Sequence, residues 1–245
     1  MTLLEQSLCL LSGVSPETEI RFRRSGVLTC RQLSDEADFH FSAVHAARVK
    51  ESFGRFIKAD ELDLAGWFVA HLPAGHRVRA LRRFESETLY YDIETDGIAR
   101  SSHITCITTL RGGRVRTFVR NQNLNEFLEE WSAAKILVGF NSKRFDTPVV
   151  CREFGLADTP AQIDLMDEAA HYGLRGGLKV IEKAIGFVRK DGPCVCGADA
   201  VNLWRRWSEH RDEKALFALL EYNREDVLSL QRLAKHLLNL SLENA

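Results

Sequence analysis

Five oxygen-bearing side chains stand at spacings that suit chemistry. Asp92 and Glu94 are two apart near the end of "YYDIETDG", Asp146 closes "NSKRFD", and Tyr222 and Asp226, four apart, frame "YNRED". Residues two apart on a strand project from one face, and residues four apart on a helix share a face, so each pair is pre-aligned if these segments form a strand and a helix. Carboxylates gathered without a counter-charge repel one another, and a divalent cation is the usual resolution. An all-oxygen set favours Mg2+ or Mn2+ over zinc. Two such ions about 4 Å apart would clamp the attacking and departing oxygens of a phosphodiester. Asp96 and Asp164 are further acids near these segments, each equally suited to a turn or a strand end.

These residues need a framework that delivers them to one place. Three apolar runs, "TLYYDIE" (88–94), "ITCITTL" (104–110) and "RVRTFV" (114–119), predict strands, and Gly112-Gly113 marks a hairpin between the last two. An antiparallel meander follows from that order. A helical stretch at 124–133, a short apolar run "ILVGF" at 136–140 and a helix starting near Phe145 come next. Strands alternating with helices after a meander predict a mixed α/β sheet flanked by helices. From 165 onward the pattern is almost wholly helical and ends in a long amphipathic run from Asp212 to Leu240.

Residues 1–60 carry helical spacing with breaks at Gly13, Gly26 and Gly54, which predicts a small helical module. Ser15 stands where an N-cap belongs, with Pro16 at the first helical position. Such a helix start, with Arg21, Arg23 and Arg24 close by, suits contact with a phosphate backbone and equally suits a solvated basic face. Residues 61–87 read as a loop followed by a basic, extended connector.

Composition sets the outer limits. The chain has 245 residues, 45% hydrophobic and 27% charged, enough for a real core, and its net charge of -1 excludes gross electrostatic attraction to nucleic acid or an anionic membrane. No stretch approaches the length of a membrane span. Six cysteines without a pairing rhythm read as reduced thiols, and the address expected is the cytoplasm. Cys194 and Cys196 form a lone C-x-C, short of the ligands a zinc site needs. The eight histidines form no H-x-x-x-H pair.

In order and spacing the three motifs resemble those of the DEDD 3'-to-5' exonucleases of the RNase H-like fold, in the Tyr-containing subclass. "DIE" matches D-x-E, "NSKRFD" matches N-x-x-x-F-D, and "YNRED" matches Y-x-x-x-D, over roughly 135 residues. Nearly the whole chain is similar to the YprB-like group of RNase H-like nucleases, including "GLRGGLKVIEKAIG" (173–186) and "DAVNLWRRW". "GVSPETEIRFRRSGVLT" resembles the helix-hairpin-helix element that precedes that group's nuclease domain, with Ser15 where a second glycine is usual.

The resemblance implies an RNase H-like domain over 88–245, two Mg2+ or Mn2+ ions held by Asp92, Glu94, Asp146 and Asp226, and Tyr222 orienting the attacking water. Asn141 would brace the second motif, Lys143 and Arg144 would contact substrate phosphates, and the partner would be a single strand or 3' end of DNA or RNA. Two other classes compete with this expectation. A non-catalytic RNase H-like nucleic-acid-binding protein keeps the fold without the cleavage. An aspartyl-phosphate phosphatase would need an Asp where Glu94 stands, and it leaves the second and third motifs unexplained.

Overall fold

The computed structural model describes residues 2–97, 99, 101–187, 189 and 197–243; Cys194 and Cys196 lie outside them. The chain divides into two compact units. One comprises 1–85 together with 235–245, and the other comprises 86–234.

The first unit is helical. Its elements are α1 (Pro16–Arg24), α2 (Cys30–Asp35), α3 (Ala37–His40), α4 (Ala43–Glu61) and α5 (Ala65–His71). α1 begins as its sequence dictates: the Ser15 hydroxyl accepts the Thr18 N–H at 3.2 Å, Pro16 occupies the first turn, and Ser25 and Gly26 close the helix. Apolar residues Leu8, Leu11, Val14, Val27, Cys30, Leu33, Ala46 and Val49 form its core. Gly54 does not break α4; it sits within the helix, and a Cβ there would meet nothing within 4 Å. Burial of Ala46, Val49, Phe56 and Ala59 outweighs the ~1 kcal/mol propensity cost of one glycine.

Residues 61–87 depart from the extended connector expected of them. They form α5 and two short 3-10 segments, Arg77–Arg82 and Glu85–Glu87. Arg79, which reads as a solvated cation, is fully buried: it pairs with Glu19 at 2.8 Å and donates to the Ser241 carbonyl. A buried guanidinium is tolerable only with such partners.

The second unit is built on five strands, β1 (Thr88–Thr95), β2 (Ile104–Arg111), β3 (Arg114–Val119), β4 (Ile136–Gly139) and β5 (Ala161–Asp164), in the order β3-β2-β1-β4-β5. β1–β2 and β2–β3 are antiparallel, while β1–β4 and β4–β5 are parallel. At the β2–β3 hairpin Gly112 and Gly113 both have positive φ, +54° and +79°, which the two-residue turn requires. The helices are α6 (Phe127–Ser132), α7 (Asp146–Phe154), α8 (Leu165–Ala170), α9 (Leu178–Ala184), α10 (Gly197–His210) and α11 (Glu213–Glu243), whose part from Lys235 onward belongs to the first unit. One sheet face buries Leu89, Tyr91, Ile93, Ile107 and Phe118 with Phe127 and Trp131 of α6 and Val149 and Val150 of α7. On the other face Cys106 and Val119 pack with Ala200, Trp204 and Leu219 of α10 and α11. The result is a mixed sheet between two helical layers, with a helical module ahead of it in sequence. Among the described residues no helix is long and apolar enough to cross a membrane, and the four cysteines are free thiols.

Candidate active site

β1 alternates strictly. Leu89, Tyr91 and Ile93 enter the core, while Tyr90, Asp92 and Glu94 share the opposite, half-buried face, as a pleated strand requires. α11 brings Asp226 to that face. One carboxylate oxygen each of Asp92, Glu94 and Asp226 lies within 4.8 Å of the others, the one such acidic trio among the described residues.

Asp146 arrives from another direction. It is the first residue of α7, and its Oδ1 accepts the backbone N–H of Ile93 at 3.3 Å, between the two acids of β1. It stands outside the trio, yet its charge bears on both Asp92 and Glu94. Tyr222, one helical turn before Asp226, hydrogen-bonds that carboxylate, and Lys179 of α9 lies 4.5 Å above the Tyr222 ring centre.

Crowding and burial govern the protons here. Burial first, then the charges of Asp146, Asp226 and Glu94, raises Asp92 well above the usual carboxylate range. Burial, then the charges of Asp226 and Asp146, lifts Glu94 to about 8, with Lys179 opposing. Burial raises Asp146 to about 7 against the pull of the Ile93 N–H. Asp226 is raised by burial and held back by Arg189 and Lys179. Burial also keeps the Tyr222 phenol protonated, so it acts as a donor. Three half-buried to buried carboxylates facing one another without enough positive charge form a donor set that fits a hard divalent cation.

Three contacts have no signal in the motif spacing. Asn223 is fully buried and its Nδ2 donates to Asp92 Oδ2 at 2.7 Å; its place on the apolar stripe of α11, between Leu219 and Val227, was the available clue. Arg189 meets Asp226 Oδ1 at 2.5 Å while Glu182 holds it through two oxygens at 2.8 and 3.0 Å. The third is Asp164, whose carboxylate accepts the N–H groups of Asn141, Lys143 and Met166.

The remaining expected residues are placed as follows. Asn141 has a left-handed φ of +58° and gives its N–H to Asp164. Lys143 and Arg144 are exposed, and Arg144 pairs with Asp167 at 3.0 Å. Asp96 directly follows β1 and meets Arg120 at 2.9 Å and the His103 N–H at 2.9 Å, the contacts of a turn at a strand end. Arg23 in the helical module is committed to Glu19 and the Gln6 carbonyl, which leaves Arg21 and Arg24 as the exposed part of that basic run.

Comparison with known proteins agrees with this architecture. Curated protein sequences give no match. Among solved structures, the family B DNA polymerase from the hyperthermophilic archaeon Pyrobaculum calidifontis matches with a TM-score of 0.52 at 18% identity. The match covers 62% of this chain and only 24% of the polymerase, so the likeness is one of fold. A family model described as the RNase H superfamily matches residues 89–238, a span that holds the five strands but for Thr88, and every residue of the acidic site. With that match over more than half its length, the chain belongs to the RNase H superfamily.

Proposed function

We propose that the chain is a metal-dependent 3'-to-5' exonuclease of the Tyr-containing DEDD subclass, in the YprB-like group, acting on DNA or RNA. The observation that carries this is the convergence of Asp92, Glu94 and Asp226, with Asp146 beside them, on one face of an RNase H-type sheet. Asp92, Glu94, Asp146 and Asp226 would hold two Mg2+ or Mn2+ ions. Bound there, the ions supply charge neutralisation for a scissile phosphodiester and lower the proton affinity of water.

The chain's own residues do the positioning. The Tyr222 hydroxyl, anchored by Asp226, is a fixed dipole beside the acids and suits orientation of the attacking water. Asn223 holds one Asp92 oxygen and leaves the other free to face the trio. Lys179 adds positive charge where a substrate phosphate would sit. Lys143 and Arg144, exposed beside α7, suit contacts further along the strand.

The test uses the whole chain with 5'-labelled, 3'-labelled and 3'-blocked strands of DNA and RNA. With Mg2+ or Mn2+, the 5'-labelled strand should shorten stepwise, the 3'-labelled strand should release a mononucleotide first, and the blocked strand should persist. Strand binding without cleavage in either metal would overturn the nuclease and favour the non-catalytic nucleic-acid-binding alternative.

A further inference from the structure

Asp164 is a fully buried acid that the proposed chemistry does not use. It ends β5, opposite Gly139 of β4, and its charge bears on Asp146. Oδ1 accepts the Asn141 N–H at 2.8 Å and the Met166 N–H at 3.1 Å, and Oδ2 accepts the Lys143 N–H at 3.1 Å. Only the Met166 contact is the ordinary cap of α8; the other two reach across to the loop that leads into Asp146. That loop needs an external tie. Asn141 sits in the left-handed region, which asparagine tolerates better than other non-glycine residues, and the turn it opens is closed by the Arg144 and Phe145 N–H groups on its carbonyl, while its own N–H and that of Lys143 are held from outside by Asp164.

A second tie comes from the same strand two residues earlier. The Tyr91 hydroxyl, next to Asp92, bonds Thr147 Oγ1 at 2.7 Å, and Thr147, next to Asp146, donates to Gln162 Oε1 at 3.0 Å. β5 therefore grips the second motif on both sides of Asp146, through Asp164 before it and Gln162 after it.

Resting on the nuclease reading above, we infer that Asp164 is a positioning residue, which clamps the 141–143 loop so that Asp146 is presented to the acids of β1. It stands outside the acidic trio that would hold the ions. A carboxylate is required because it alone offers acceptors to three N–H groups from one side chain.

The experiment compares Asp164→Asn and Asp164→Ser with the unaltered full chain. Asn keeps the shape but turns an N–H2 group toward loop N–H donors; Ser keeps a cap for α8 and cannot reach the loop. Both should exchange the Asn141 and Lys143 amide protons at least ~10-fold faster, and kcat on a single-stranded substrate should fall ~10- to 100-fold with KM little changed. The Ser variant should still unfold cooperatively, with a thermal midpoint lowered by the loss of the two loop hydrogen bonds. Unchanged amide exchange, or a Ser variant with full kcat, overturns the clamp and reduces Asp164 to a helix cap. Should the unaltered chain fail to cleave any strand, faster exchange at Asn141 and Lys143 still supports the clamp while the nuclease reading falls.

Discussion

Two side chains one helical turn apart are assigned different tasks, and each should fail in its own way. Tyr222→Phe keeps every carboxylate and nearly all the side-chain volume, so metal affinity should persist while turnover falls by roughly 10²-fold or more, the range for loss of a positioned catalytic group. Asp226→Asn removes a negative ligand and leaves Arg189 beside a neutral amide, so metal binding itself should weaken and part of the lost turnover should return at high Mn2+. Calorimetric metal titration with single-turnover cleavage separates the two. A Tyr222→Phe protein that cleaves normally, or an Asp226→Asn protein that binds metal normally, would reverse the assignment. The spacing of these two residues was readable because a helix repeats nearly every four residues. Asn223 and Arg189 were hidden because what they do depends on partners 131 and 37 residues away in sequence, and Asp164 was legible as a strand end but not as the partner of Asn141, 23 residues earlier.

Among the elements, β4 carries the tightest constraint. A Cβ on Gly139 would lie 2.5 Å from Ser142 Cβ and 2.6 Å from its Oγ, so the strand must end in glycine for the chain to turn back so closely. Gly139→Ala should destabilise by about 1 to 3 kcal/mol, and adding Ser142→Gly should recover most of the loss, as denaturant unfolding of the singles and the double will reveal. Additive losses would mean that the strain lies elsewhere. β1 to β4 were legible as apolar runs between turn residues. β5 was not, because "AQID" holds one fully apolar, deeply buried residue, Ile163, and its strand geometry comes from pairing with β4. α5 and the 3-10 segment after it were obscured in the same way: three arginines between Arg77 and Arg82 imitate a solvated linker, and the Glu19 carboxylate that buries Arg79 stands 60 residues earlier.

For the molecule as a whole, the acidic site should link stability to pH and, under the proposed function, to metal. Glu94 and Asp146 bind protons more tightly folded than unfolded, so without metal their contribution is complete below the ordinary carboxylate range. It is lost as pH rises through about 7 for Asp146 and about 8 for Glu94. Thermal denaturation in chelator should therefore show the midpoint falling from pH 5 to 8, while Mn2+ at a hundredfold excess over its Kd should restore about 2.7 kcal/mol at pH 8. A midpoint that ignores both pH and metal would remove the electrostatic account of the site. The buried Glu19–Arg79 pair has a consequence measured in time. Its last partner, the Ser241 carbonyl, lies 162 residues after Arg79, an interval of roughly 8 to 30 s at ribosomal speeds. A nascent chain thus lacks this partner for the Arg79 guanidinium until the whole of 86–234 has been made. Fragment 1–234 should accordingly be cut by protease within 1–85 far faster than the full chain, and equal resistance would disprove the dependence. A unit whose two segments flank the sheet in sequence thus has its completion timed by the synthesis of the sheet between them.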